Sequence, residues 1–170
     1  TVALGQNAAV SGQGNQSVAI GPNSGGTYQG TNSVAVGNEA GYTNQGQNCV
    51  AIGFTSGRGT QGPYAVAIGY QAGYVSQGQY AVSVGSQAGY TRQGNYSIAL
   101  GNQAGYSDQS LNAVAIGNQA GYQFQSTGSI ALGYQAGYTA QGTNTIAVGI
   151  EAGKTLQSQN AIAIGYQAGS

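Results

Sequence analysis

Every sixteenth residue of this chain closes the same phrase, Val-Ala-Ile-Gly or a near variant of it. The closing glycine stands at Gly5, Gly21, Gly37, Gly53, Gly69, Gly85, Gly101, Gly117, Gly133, Gly149 and Gly165, with no insertion or deletion anywhere. So strict a period is an architecture, a stack of small units none of which can bury an apolar face alone. Composition by itself, with thirty-two glycines and only three basic and three acidic residues, is that of a disordered tract. Disorder places no constraint on phase, so the period decides for an ordered fold.

Three residues before each glycine stands Val or Ile, and one residue before stands Ile, Leu or Val, with Ala between them except at Ser83. Short β-branched runs bounded by glycine read as strands and are too short for helices. Alternate side chains point to opposite sides of a strand, and here both sides are apolar. The chain's own coil covers one of them. The other needs a cover that the chain does not itself supply, and another copy of the chain is expected to provide it.

After the strand glycine come one variable residue, a polar residue such as Glu39 or Gln71, then Ala or Ser and usually a second glycine, from Gly25 to Gly169. Two glycines four apart predict a corner that needs positive φ or close backbone approach. A second short segment follows, such as Tyr74-Val75-Ser76-Gln77, with Tyr first in six repeats and Gln fourth in all ten complete ones. Alternation predicts Tyr and the third residue (Asn44, Arg92, Asp108) outward and Gln inward. A Gly or Ser opens a second corner, and both prolines, Pro22 and Pro63, fall in corners where no ladder N–H is lost.

Two strands and two corners per repeat predict an all-β, parallel β-solenoid, a narrow β-roll of eleven 16-residue coils that makes residues 1–170 one repeat domain. Stacked about 4.8 Å apart, the coils form a rod on the order of 50 Å long. Gln45, Gln61, Gln77, Gln93, Gln109, Gln125 and Gln141 are expected to form an interior amide ladder, as stacked amides do in cross-β arrays. A narrow interior suits the small strand alanine, which sends outward Val34, Val36, Val66, Ile68, Ile98, Leu100, Val114, Ile116, Ile130 and Leu132, the candidate interface with sister chains. The opposite assignment, aliphatics inside and a flat alanine face outside, also needs a partner. No coil stands alone energetically: ordering sixteen residues costs roughly 1–2 kcal/mol each, and two buried aliphatics return only about 1.5–3 kcal/mol apiece.

Charge and chemistry exclude several classes of function. A balanced and sparse charge gives no field to hold nucleic acid or an acidic membrane, and no run of eighteen apolar residues exists to insert into a bilayer. Cys49 fills a slot occupied elsewhere by Ser or Ala and reads as a small buried filler. There is no His, no base stands near a Ser, Thr or Cys nucleophile, and Glu39 and Glu151 lie seven coils apart, whereas paired glycosidase carboxylates need about 10 Å. Calcium-binding β-rolls require a recurring Asp that this period lacks. The reading is of a chain that is no enzyme and takes no cofactor and no metal.

The segments Asn32-Ser33-Val34-Ala35-Val36-Gly37, Asn112-Ala113-Val114-Ala115-Ile116-Gly117 and Asn160-Ala161-Ile162-Ala163-Ile164-Gly165 resemble the Asn-Ser-Val-Ala-Ile-Gly repeat of YadA-like heads in trimeric autotransporter adhesins. The resemblance implies a left-handed roll, three chains side by side about an axis, presentation at a bacterial surface, and attachment to host matrix proteins or neighbouring cells. This chain departs from that family's usual coil by an added Gly-Tyr-Xaa-Xaa-Gln-Gly segment. Similar repeats occur in fibre proteins of large viruses.

The functional expectation is a segment of a longer extracellular fibre, structural and adhesive, a homotrimer exposed at a cell or virion surface. Its partners are expected to be proteins or glycans of a host or a neighbouring cell. Tyr74, Tyr90, Tyr106, Tyr122 and Tyr138, on five consecutive coils, form the candidate adhesive surface, because flat rings with polar tips suit weak multivalent contacts. Tyr64, Tyr80 and Tyr96 form a shorter column at the other corner. Alternatively the tyrosines stack on one another and shield the edge of the rod, with Arg58 and Lys154 interrupting the column for solubility. A virion or phage fibre is the competing setting. An ice-binding solenoid is a minor alternative, since the flat Thr array that function needs is only half filled.

Overall fold

Each Val-Ala-Ile triplet forms a three-residue strand, and the strict period places every strand beside its counterpart in the next coil. The computed structural model describes all of residues 1–170. Eleven such strands, from Val2–Leu4 to Ile162–Ile164, lie in chain order in one parallel sheet. Register is identity with a shift of one repeat: Val18 pairs with Val34, Ala19 with Ala35 and Ile20 with Val36. A second parallel sheet has eight strands, from Thr27–Gln29 to Thr139–Gln141. Single bridges, Ser11 to Thr27 and Gln141 to Gln157, extend it at both ends. The chain makes ten full turns, and the eleventh strand opens one more.

The corners rest on left-handed backbone. Gly53 lies at φ +126° and Gly57 at +52°, and a β carbon on Gly53 would sit 2.6 Å from the Gly69 carbonyl oxygen. Glycine is thus required at the strand end both for conformation and for the approach of the next coil. Less legible is the polar residue between the two glycines, which is left-handed in every coil, from Asn7 at +54° to Gln167 at +52°. The middle residue of the second segment is left-handed in eight coils, among them those of Gly12, Asn44, Arg92 and Asp108, but not at Thr60 or Ser76. Strict strand alternation therefore does not hold through this segment.

The interior is thin and filled by small side chains. The strand alanines Ala19 to Ala147 and the corner alanines such as Ala72 and Ala104 are fully buried, with Cys49, Ser33 and Ala65 closing one end of the layer. No room is left for branched aliphatics, which accordingly point outward. Val34, Val36, Val66, Ile98, Leu100, Val114 and Ile116 are half-exposed, and Ile68, Ile130 and Leu132 are more exposed still. Their columns run the length of the first sheet's outer face.

Candidate binding surface

Gln29 to Gln157 bring a buried amide to each coil. Those from Gln29 to Gln141 cross-link the two sheets, donating through Nε2 to the carbonyl of the first strand residue, as Gln77 does to Val66 at 2.7 Å and Gln109 to Ile98 at 2.8 Å. The same nitrogen reaches the amide oxygen of the next coil from Gln61 to Gln77 (3.0 Å), Gln93 to Gln109 (3.2 Å), Gln109 to Gln125 (3.0 Å) and Gln125 to Gln141 (2.8 Å). Between Gln77 and Gln93 the Ser83 hydroxyl relays the chain: Gln77 donates to it at 3.2 Å, and it donates to Gln93 at 2.7 Å. The ladder is broken between Gln29 and Gln61, where the amide oxygens of Gln45 and Gln61 lack partners, and one further rung joins Gln13 to Gln29 at 3.3 Å.

A second amide ladder lies outside, at the left-handed corner position. Gln87, Gln103, Gln119 and Gln135 each donate to the preceding coil's Gln at 2.8–3.0 Å. Donation runs toward the N-terminus here and toward the C-terminus inside. The regular Gln at this position was its signal in the sequence, but nothing there showed the conformation that aligns the side chains.

The tyrosines of the five-coil column are half-buried, with ring centroids 4.9–5.0 Å apart and planes within 11° of parallel. Each inner ring spends both faces on its neighbours, so what faces solvent is edges and hydroxyls. Burial, and then the neighbouring tyrosines, push the Tyr90 and Tyr122 hydroxyls above the usual tyrosine pKa. Arg58 does not break the column. Its guanidinium lies 5.5 Å from the Tyr42 ring centroid and 5.7 Å from that of Tyr74, and its Nε donates to Glu39 at 2.7 Å. Planar and cationic, it continues the stack as a ring would. Lys154, at the other end, pairs with Glu151 at 2.7 Å.

Arg92 and Asp108 form the third ion pair, so all six formal charges are paired and the surface carries no free charged side chain. Ser76, Arg92, Asp108 and Ser110 line a shallow groove of about 250 Å³, where the ion pair occupies the only charged groups. No three metal-ligating side chains come together. Cys49 is fully buried, its thiol donating to the Gly62 carbonyl at 3.0 Å, and burial raises its pKa.

The shorter column differs in kind. Tyr64, Tyr80 and Tyr96 stack at 4.8 and 5.2 Å but are 41%, 42% and 53% exposed. They stand in left-handed backbone, at φ +63°, +57° and +57°, where five other coils carry Asn at +56° to +62°. A left-handed residue with a β carbon costs roughly 1–2 kcal/mol, and Asn is among the few that visit this region readily. Two stacked pairs return about 0.5–1.5 kcal/mol each. For three tyrosines, stacking falls short of the backbone cost. Other bulky residues in left-handed backbone, Tyr28, Phe124 and Leu156, are isolated from one another.

A family model described as the YadA head domain repeat matches the chain in two copies, over residues 1–24, 29–40 and 125–152. Over those stretches the chain is similar to YadA head repeats. In their family these heads are adhesin-type structural domains that form trimers, and YadA-like adhesins are exposed at the cell surface. No curated protein and no solved structure matches. The matched stretches flank the centre of the rod, and Tyr64, Tyr80 and Tyr96, which replace the Asn of the YadA-like phrase, fall in the unmatched centre.

Proposed function

We propose that the chain is a structural and adhesive segment of an extracellular surface fibre, a rigid β-roll rod in which three chains stand side by side. The observation that carries this reading is the outer face of the first sheet. Parallel sheets are normally covered on both faces, yet here a continuous strip of Val, Ile and Leu lies half-exposed along ten turns. Sister copies carry the same strip at the same spacing, so they cover it coil for coil. Val34, Val36, Val66, Ile68, Ile98, Leu100, Val114, Ile116, Ile130 and Leu132 are then interface residues, and the trimer of YadA heads supports the number of chains.

The rod's function is geometric. In-register coils hold identical side chains at fixed intervals, so contacts that are weak singly add up along the axis. Attachment is to proteins or glycans of a host or a neighbouring cell, at neutral surfaces rather than through long-range charge, since every charge is paired. The column Tyr74 to Tyr138 offers edges and hydroxyls to such contacts while its stacked faces stiffen the corner. Replacing Tyr90, Tyr106 and Tyr122 by Phe keeps the rings and removes the hydroxyls. Weaker attachment to cells or matrix-coated surfaces by that variant supports an adhesive column, and unchanged attachment removes it from the adhesive surface.

A further inference from the structure

We propose that Tyr64, Tyr80 and Tyr96 form a dedicated binding platform for a neutral, extended, β-linked glycan laid along the rod axis, an inference that rests on the fibre reading above. The three rings stand on consecutive coils, are 41–53% exposed and are stacked 4.8 and 5.2 Å apart. They occupy left-handed backbone at a position where the other coils carry Asn, Gln or Gly. Bulky residues held in left-handed backbone that local packing does not repay point from strain to function. At this corner three consecutive coils carry a large aromatic side chain in that backbone.

The choice of ligand follows from the chemistry of the platform. Ring faces are turned toward each other, so the ligand meets ring edges and a line of three phenol hydroxyls, which both donate and accept. Asn95, between Tyr80 and Tyr96, accepts the Gln79 backbone N–H at 2.9 Å and brings a side-chain amide to the same corner. All six charged side chains are engaged in ion pairs, which leaves nothing to recognise an anionic ligand. An extended polypeptide strand advances about 3.3 Å per residue, so side chains on one face recur at about twice that and miss the ring spacing. A β-1,4-linked pyranose chain advances by close to one coil spacing per sugar and sets hydroxyls against each ring in turn.

The other coils suggest a test that leaves the fold in place. In Tyr64→Asn/Tyr80→Asn/Tyr96→Asn each tyrosine gives way to the residue that the same backbone already holds at Asn32, Asn48 and Asn112. Cellohexaose and chitohexaose are titrated by calorimetry or ligand-observed NMR against wild type and variant, each first checked for assembly mass. The expected result is that wild type binds at least one hexasaccharide, at least tenfold tighter than the matching disaccharide. The Asn variant, with a melting temperature no lower than that of wild type and an unchanged mass, loses at least tenfold in affinity. Retained binding in the variant overturns the proposal, as does a melting temperature lowered as far as by the same changes at Tyr90, Tyr106 and Tyr122, which makes the stack structural. Failure of wild type to bind either probe, with cell attachment abolished by protease but not glycosidase treatment of the target, assigns the platform to a protein partner and also overturns it. Because mass is read on the same samples, a trimer that binds no glycan refutes this inference alone, whereas a monomer refutes the fibre reading.

Discussion

Two columns of tyrosine run along this rod at nearly the same spacing, and their difference lies in the backbone beneath them. Tyr74 to Tyr138 occupy ordinary backbone, are half-buried and stack at 4.9–5.0 Å, with Arg58 carrying the stack on to Tyr42. Tyr64, Tyr80 and Tyr96 occupy left-handed backbone and are about half exposed. In the first column sequence and backbone agree, and the rings stabilise the corner. In the second they conflict, and such conflicts concentrate where function outweighs stability. An identical residue on an identical period thus does different work according to the φ it is asked to adopt.

The sharpest way to break this comparison is to make the same change in both columns. Tyr90→Asn/Tyr106→Asn/Tyr122→Asn removes four stacked pairs without relieving any strain, and is expected to destabilise the rod by about 2–6 kcal/mol. Tyr64→Asn/Tyr80→Asn/Tyr96→Asn removes two pairs and relieves three strained residues, and is expected to be no less stable than wild type. Guanidinium denaturation of the two variants measures both. Equal losses would erase the distinction.

Alkaline titration probes the first column next. The folded-state pKa values of Tyr90 and Tyr122 are raised by burial and by neighbouring tyrosines. An acid whose pKa is raised on folding contributes stability that is fully present below its unfolded value, about 10 for tyrosine, and is lost as pH rises through the folded value. The melting temperature is therefore expected to fall above pH of about 10. In Tyr90→Phe/Tyr122→Phe this fall should be smaller, and an identical alkaline fall in that variant would show that these hydroxyls do not carry it.

Arg58 tests whether the first column is a continuous stack. Arg58→Ala is expected to cost about 1 kcal/mol, which combines an ion pair that is one-third exposed with contact to two rings. In molar salt the ion-pair share is screened and the ring share persists. An effect that vanishes in salt would mean that the guanidinium contributes charge alone. The smallest change is expected at Ser83→Ala, within about 0.5 kcal/mol, because losing the hydroxyl lets Gln77 and Gln93 close directly as neighbouring amides do elsewhere. A loss above about 2 kcal/mol, the scale of a buried amide left unpaired, would show that the interior ladder cannot adjust.

Much of the fold was legible because the period multiplies weak signals. One Val-Ala-Ile-Gly says little, whereas eleven in phase dictate two stacked sheets, glycine corners, and prolines kept out of ladders. The alanine-in, aliphatic-out arrangement follows from the narrowness of a short coil. What was not legible depends on φ at residues other than glycine. Gln71 and its counterparts read as polar corner residues, and only the left-handed backbone lines their amides into an exterior ladder. Asn44 and Arg92 read as regular strand residues, and within their three-residue strands they take left-handed backbone. Arg58 read as an interruption, because periodicity shows that a residue type differs but not that a guanidinium can sit between two rings. Ser83 was visible as the single exception among the strand alanines, but its hydroxyl's role needed the distances to Gln77 and Gln93.

The deepest commitment concerns what covers the aliphatic strip. Sedimentation equilibrium across a dilution series into the nanomolar range measures the mass of the particle in solution directly. A constant mass three times the 16.9 kDa of one chain is the expected result, falling to that of a single chain when Val66, Ile68, Ile98 and Leu100 are replaced by Asn. A wild-type rod that stays folded at the mass of one chain at every concentration, its Val and Ile columns facing water, would contradict the account.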